Sequence, residues 1–218
     1  MLVNDIMQRD VVTVTPDTRL PQVLRLLQPR GFRHVPVVEH ETLVGIISDR
    51  DVKQAMASLA GAGAGGVEVE RARERLAASE IMGRTVTTVG PMDTVEEAAR
   101  LMAMQKISAL PVTEGGRLVG IVTETDLLAL FVRAMGVLEP SSRLDVILPA
   151  PEAPLGDVVH AVEGARARIV SLMTMRGPGG EREVVLRVAT INPEPAVAEL
   201  QARGYRVRDA DRGAASRA

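Results

Sequence analysis

Cysteine is absent from the 218 residues, which excludes disulfides, thiolate nucleophiles and cysteine-ligated metal centres. Aromatic side chains are almost absent as well, since Phe32, Phe131 and Tyr205 are the whole set. A planar base held by this chain must therefore lie mainly against aliphatic groups, with little ring stacking. There is no basic excess either. Lysine and arginine number 26 against 28 acids, and only Lys53 and Lys106 are lysines. Contact with nucleic acid or an anionic membrane surface, which needs a one-sided positive field, is not expected. Long apolar runs are missing too. The greasiest stretch, LLALFVRAMGVL at 127–138, is too short to span a bilayer and carries Arg133. MLVNDIMQRD lacks the charged-then-apolar order of a signal peptide, so a soluble cytoplasmic protein is expected. His34, His40 and His160 have no metal-ligand spacing, and no metal is expected. With 46% apolar and 25% charged residues, the composition is that of a folded globular chain.

What the chain does have is a repeat. LVGIISDRD at 43–51 returns as LVGIVTETD at 118–126, so that Gly45, Ser48 and Asp51 recur as Gly120, Thr123 and Asp126, each 75 residues on. Without a gap, DIMQRDVVTVTPDT at 5–18 aligns with EIMGRTVTTVGPMD at 80–93, and HVPVV at 34–38 with ALPVT at 109–113. Two copies of one supersecondary unit, related by a pseudo-twofold axis, are implied. Each copy reads β-α-β-β-α. A β-branched strand (VVTVT, VTTV) stops at a proline turn, and an amphipathic helix follows. In copy two that helix has a start signal in Asp93 and Glu96. Two strands joined by a polar turn (EHET in copy one) and a closing helix, DRDVKQAMASLA in copy one, complete the unit.

The copies are expected at 1–60 and 78–137, with a Gly-rich linker and charged helix at 61–77. GAGAGG in that linker matches G-x-G-x-x-G, but a helix precedes it where the dinucleotide fingerprint needs a strand, so it reads as a flexible linker. From 142 to 211 the pattern becomes β-α-β-β-α-β, which predicts a ferredoxin-like sandwich with one open sheet face. Gly204 sits where its second helix would end, and residues 212–218 read as a frayed tail. The fold class is mixed α/β.

Ser48 with Asp51, and Thr123 with Asp126, admit two readings. A hydroxyl at a helix N-cap with an acid three residues on is a capping box and needs no ligand. The same pair at a strand-to-helix junction can hold a sugar phosphate, the carboxylate accepting from vicinal hydroxyls and the hydroxyl donating to phosphate. The two copies also differ in charge. Arg30, Arg33, His34 and Arg50 surround copy one, where copy two has Gln105, Ser108, Ala109 and Thr125, with Lys106 alone nearby. Phosphates would favour copy one's neighbourhood.

The G-h-h-S/T-x-x-D runs GIISDRD and GIVTETD, with the x-P-V strands HVPVV and ALPVT, resemble a pair of CBS domains, or Bateman module, over residues 1–137. That resemblance implies an adenine nucleotide (AMP, ADP or ATP) or S-adenosylmethionine in the cleft between the copies. It puts Ser48 and Thr123 on phosphate or ribose, Asp51 and Asp126 on the ribose diol, and Thr13 and Thr88 beside the adenine. Pro36 and Pro111 of the x-P-V strands belong to that set, and the charge difference between the copies adds Arg33, His34 and Arg50 as candidate ligand contacts. The carboxyl-terminal part, ending ELQARGYRV, resembles an ACT-type regulatory domain. The order of the parts is similar to that of AcuB-type acetoin-utilisation proteins. A non-catalytic, homodimeric regulatory protein is the implied function. A non-binding dimerisation module and a nucleotide hydrolase stand as alternatives.

Overall fold

The computed structural model describes residues 1–27, 32–61, 66–148, 154–177 and 179–209. Arg30, most of the glycine linker, the start of the 149–156 loop and the tail expected at 212–218 lie outside these residues. The chain divides into two units, Met1–Leu128 and Ala129–Ala218.

The first unit holds a 3-10 turn (Val3–Asp5), α1 (Leu20–Leu27), β1 (His34–Glu39), β2 (Thr42–Ser48), α2 (Asp49–Gly61), α3 (Gly66–Arg75), α4 (Ala78–Ile81), α5 (Val95–Gln105), β3 (Ala109–Glu114), β4 (Arg117–Thr123) and the start of α6 (Glu124–Ala134). Its sheet runs β1-β2-β4-β3, all antiparallel, so the two copies meet at β2 and β4. That junction is the pairing Thr42↔Arg117, flanked by Leu43 N–H to Gly116 O and Leu118 N–H to Glu41 O, both 3.3 Å. A 75-residue shift interchanges the two bonds, so the pseudo-twofold passes between them. Each hairpin closes on two residues with positive φ, Gly115 (58°) and Gly116 (84°) in copy two but His40 (48°) and Glu41 (67°) in copy one. Such a turn suits glycine; copy one holds two side-chain-bearing residues there.

The expected first strands do not form. Val14 and Val89 each make one parallel bridge, to Val37 and Val112, and nothing more. In the bridge at Val14, its N–H donates to Pro36 O (3.1 Å) and Val38 N–H donates to Val14 O (2.8 Å). The next bond on one side would need the N–H of Pro36, and on the other that of Pro16, and proline has none. Pro111 and Pro91 stop the ladder at Val89 in the same way. The helix start in copy two also shifts by one residue. Thr94, not Asp93, is the N-cap and accepts from Glu97 N–H at 3.2 Å, while Asp93 accepts from Gly90 N–H (2.7 Å) to close the preceding turn.

The two copies exchange their entering segments. Leu2 bridges Thr94 and Gln8 bridges Ile121; 75 residues on, Ala77 bridges Arg19 and Gly83 bridges Ile46. Val3 and Met7 therefore complete the core of copy two, among Val89, Ala98, Met102, Leu110, Val112 and Val122. Ala78, with Leu76, Ile81 and Met82, completes the core of copy one around Leu20, Val23, Val35 and Ile47. The crossing requires glycine at two points. A Cβ on Gly120 would stand 2.7 Å from Met7 Sδ and 3.1 Å from Gln8 O; one on Gly45 would collide with Met82 and stand 3.1 Å from Gly83 O.

The second unit has the expected β-α-β-β-α-β order: β5 (Ser142–Ile147), α7 (Leu155–Gly164), β6 (Ile169–Arg176), β7 (Arg182–Val188), α8 (Glu194–Ala202) and β8 (Arg206–Asp209). The strands lie β6-β7-β5-β8, every neighbouring pair antiparallel, which is the ferredoxin-like arrangement. Leu144, Val146, Val184, Leu186 and Val188 meet Val158, Ala161, Val162, Ala196 and Leu200 from the helices. Gly204 follows α8 with φ of 84°, as its position after the helix predicts. Among the described residues no helix is long and apolar enough to cross a membrane.

Candidate functional site

Ser48 ends β2 and Asp49 begins α2, so Ser48 is an N-cap by its place in the chain, as Thr123 is for α6. Both boxes are closed. Asp51 Oδ2 accepts from Ser48 N–H (2.7 Å) and from Ser48 Oγ–H (2.6 Å), and Ser48 Oγ accepts from Asp51 N–H (3.3 Å). The same three bonds recur between Thr123 and Asp126 at 2.8, 2.6 and 3.3 Å. Each hydroxyl spends its hydrogen on its own carboxylate. The first amides of the helices are also engaged, Asp49 N–H with Arg33 O and Glu124 N–H with Ser108 O. The second carboxylate oxygen of each acid takes no part in its own box. Asp126 Oδ1 accepts from Gln8 Nε2 at 3.1 Å.

A cleft of about 470 Å³ opens beside the second box. Copy one supplies Gln8, Asp10, Val11 and Val12 of its entering segment, then Phe32, Arg33 and His34. Copy two supplies Ser108, Ile121 and the run Thr123–Asp126. Val11, Val12, Phe32 and Ile121 form an apolar wall, and Arg33 is the one cation among the described lining residues. Of the residues singled out in the sequence, Arg33, His34, Thr123 and Asp126 meet here. Ser48, Asp51 and Arg50 are not among the lining residues, and Arg50 is exposed on α2. Thr13 faces a separate depression with Thr15, Val38 and Glu41. Pro36 and Pro111 are buried within β1 and β3, and Thr88 is half-buried beside Val89. Gln8, Val11, Val12 and Glu124 were not singled out from the sequence. Their signal was Gly120, whose bare backbone marks where another segment crosses.

His34 lies between the two boxes. Its Nε2 is 3.4 Å from Ser108 Oγ. Burial, then the charge of Arg33, holds its pKa below the ordinary value, against the opposing pull of Asp49, Asp51 and Glu124. A histidine whose folded pKa is depressed takes up protons more readily once unfolded, so stability is full above about 6.5 and falls as pH drops through that value toward the folded pKa. Melting temperature is expected to decline between pH 7.5 and 5, and less steeply in His34→Ala, the residue copy two carries at this place. Equal slopes would contradict the assignment. On α2, Asp49 is paired with Lys53 at 3.1 Å, and that hydrogen bond lowers its pKa. Among the described residues no group of three or more acids or histidines could hold a metal.

A family model described as "CBS domain" matches residues 3–58 and 78–133, one match for each copy. Among solved structures, a protein of Vibrio cholerae described as belonging to acetoin utilization (AcuB) is 29% identical, with TM-score 0.54 over 63% of this chain and 94% of that one. The CBS domain pair of protein MJ0100, in complex with 5′-methylthioadenosine and S-adenosyl-L-methionine, is 30% identical with TM-score 0.50, over 60% of this chain and 95% of that one. CBSX2 in complex with AMP is 26% identical with TM-score 0.51, over 60% and 96%. The curated relatives differ in length: the chain spans 22% of one and 99% of another.

Proposed function

The chain belongs to the CBS-domain family, and from that premise we propose that its first unit is a non-catalytic sensor of an adenine nucleotide or adenosyl ligand. The observation that carries this reading is the cleft in which copy one's entering segment faces copy two's Thr123–Asp126 run. Adenine would lie on the aliphatic wall of Val11, Val12 and Ile121, as a chain so poor in aromatics requires. Asp126 Oδ1, the oxygen its own box leaves over, would accept from the ribose hydroxyls. The phosphates of AMP, ADP or ATP would extend toward Arg33 and His34, and the sulfonium end of S-adenosylmethionine toward Asp10 and Glu124. Ser48 and Asp51 form the equivalent box of a second half-site. MJ0100 and CBSX2, which hold adenosyl ligands, support the reading.

A second reading, a non-binding module, has one observation in its favour: both boxes are satisfied internally. A thermal-shift panel of AMP, ADP, ATP, S-adenosylmethionine and NAD separates the two. A ligand at 100 times its Kd stabilises by about 2.7 kcal/mol, so at least one adenosyl compound is expected to raise the melting temperature. A flat panel returns the protein to the non-binding reading. Protein-dependent loss of ATP on prolonged incubation would instead make it a hydrolase.

The same proposal divides the chain into CBS units at 1–60 and 78–137, the linker and charged helix at 61–77, an ACT-type regulatory domain at 142–211 and a tail at 212–218. The βαββαβ order of the second unit supports its ACT-type reading. The whole is proposed to act as a homodimer of the 23.3 kDa chain, and light scattering that returned one chain mass would remove that part.

A further inference from the structure

The two half-sites differ at one residue that neither the boxes nor the arginines account for. Gln8 and Gly83 are pseudo-symmetry mates, 75 residues apart, and each is pinned by a pair of backbone bonds. Gln8 exchanges two with Ile121 (2.8 and 2.9 Å), and Gly83 two with Ile46 (2.9 and 3.0 Å). From the same backbone position Gln8 sends its exposed side chain to Asp126 Oδ1, and Nε2 donates to it at 3.1 Å. Gly83 has no side chain to send, and among the described residues no hydrogen bond reaches Asp51 Oδ1. Nothing in the fold demands glycine here: its φ is not in the left-handed region, and an added Cβ would meet only Ile46 O, at an ordinary 3.7 Å.

We infer that Gln8 is a built-in competitor for the diol-binding oxygen of Asp126, so that the Asp126 half-site binds a ribose-bearing ligand less tightly than its other contacts alone would allow. The chemistry is that of one carboxylate oxygen with two lone-pair directions and three donors, the Gln8 amide and the two hydroxyls of the diol. The amide N–H of Gln8 takes one of the two lone-pair directions of Oδ1, and a vicinal diol, which uses both, can dock fully only once the amide swings away. With the backbone fixed and the side chain exposed, the displacement costs one amide–carboxylate bond. That makes the Asp126 half-site weaker by about 2- to 10-fold.

The inference rests on the proposed sensor function, and calorimetry keeps the two apart. AMP is titrated into the native chain, Gln8→Gly and Gly83→Gln, with free adenine, which has no ribose, as the control ligand. Native protein is expected to show two classes of AMP site. Gln8→Gly should tighten AMP at the Asp126 half-site by about 2- to 10-fold, Gly83→Gln should weaken it at the Asp51 half-site by as much, and adenine should bind all three alike. A Gln8→Gly chain that binds AMP no better than native, or worse, overturns the inference, because Gln8 would then be neutral or a ligand contact. A Gly83→Gln chain with unchanged AMP affinity at both half-sites, or adenine responding like AMP, overturns it too. If neither native chain nor variant binds AMP, the sensor reading itself has failed and the inference falls with it.

Discussion

The substitution Gly45→Val is expected to cost the first unit about 2–4 kcal/mol, the upper range for overpacking a closed site. A Cβ at this position would collide with Met82 Sδ, stand 2.9 Å from Met82 Cγ and 3.1 Å from Gly83 O. Met82 can turn a rotamer; Gly83 cannot retreat, because its N–H and C=O are both bonded to Ile46 at 2.9 and 3.0 Å. A branched side chain must therefore break that bridge or push α4 out of copy one's core. Gly83→Ala, on the crossing segment, meets only ordinary contact at 3.7 Å and should change stability by less than about 0.5 kcal/mol. Urea melts of the two variants followed by circular dichroism make the comparison. Similar midpoints for Gly45→Val and native protein would show that the crossing is loose.

The second large effect is expected at Val3, whose side chain is 0% exposed although it stands third in the chain. Val3→Asp would bury a carboxylate among Val89, Met102, Leu110 and Val112, where no described cation waits. The cost is on the order of 3–5 kcal/mol, unless the acid protonates or the segment undocks. The location of the damage matters more than its size. Because residues 2–8 serve copy two, amide exchange should accelerate first in α5, β3 and β4, with β1 and β2 following. If β1 and β2 lose protection first, the segment belongs to its own copy and the exchange of segments is wrong.

Much of the architecture was legible because duplication doubles every signal. The hairpins, the closing helices and the two N-cap boxes each occur twice at one spacing, and the βαββαβ order of the second unit followed from period and turn residues. The first strands misled because VVTVT and VTTV have strand composition, whereas pairing is decided by N–H groups on a partner. Pro16, Pro36, Pro91 and Pro111 withhold those N–H groups, and their positions relative to the bridge emerge only once the register is known. Exchange of the entering segments was hidden for a different reason. DIMQ and EIMG carry the same apolar pattern, so hydrophobicity cannot say which core either one fills. The site inherited that ambiguity. Adjacent sequence groups Thr13 with Ser48 and Asp51, while the cleft assembles Val11 and Val12 with Thr123 and Asp126. Only the need for bare backbone at Gly45 and Gly120 pointed across the repeat.

The exchanged segments also set a timetable for synthesis. Domains generally fold from the amino terminus as the chain emerges, at about 5–20 residues per second. Here Val3 and Met7 leave the ribosome well ahead of their partners, which run on to Val122, more than a hundred residues later. For on the order of 5–25 s the nascent chain exposes an apolar segment with no place to dock. Copy one closes earlier, once Ala78 and Met82 are out. Its own entering segment remains unplaced until β4 is made, so residues made before the rest of copy one reach their native position only after copy one has closed.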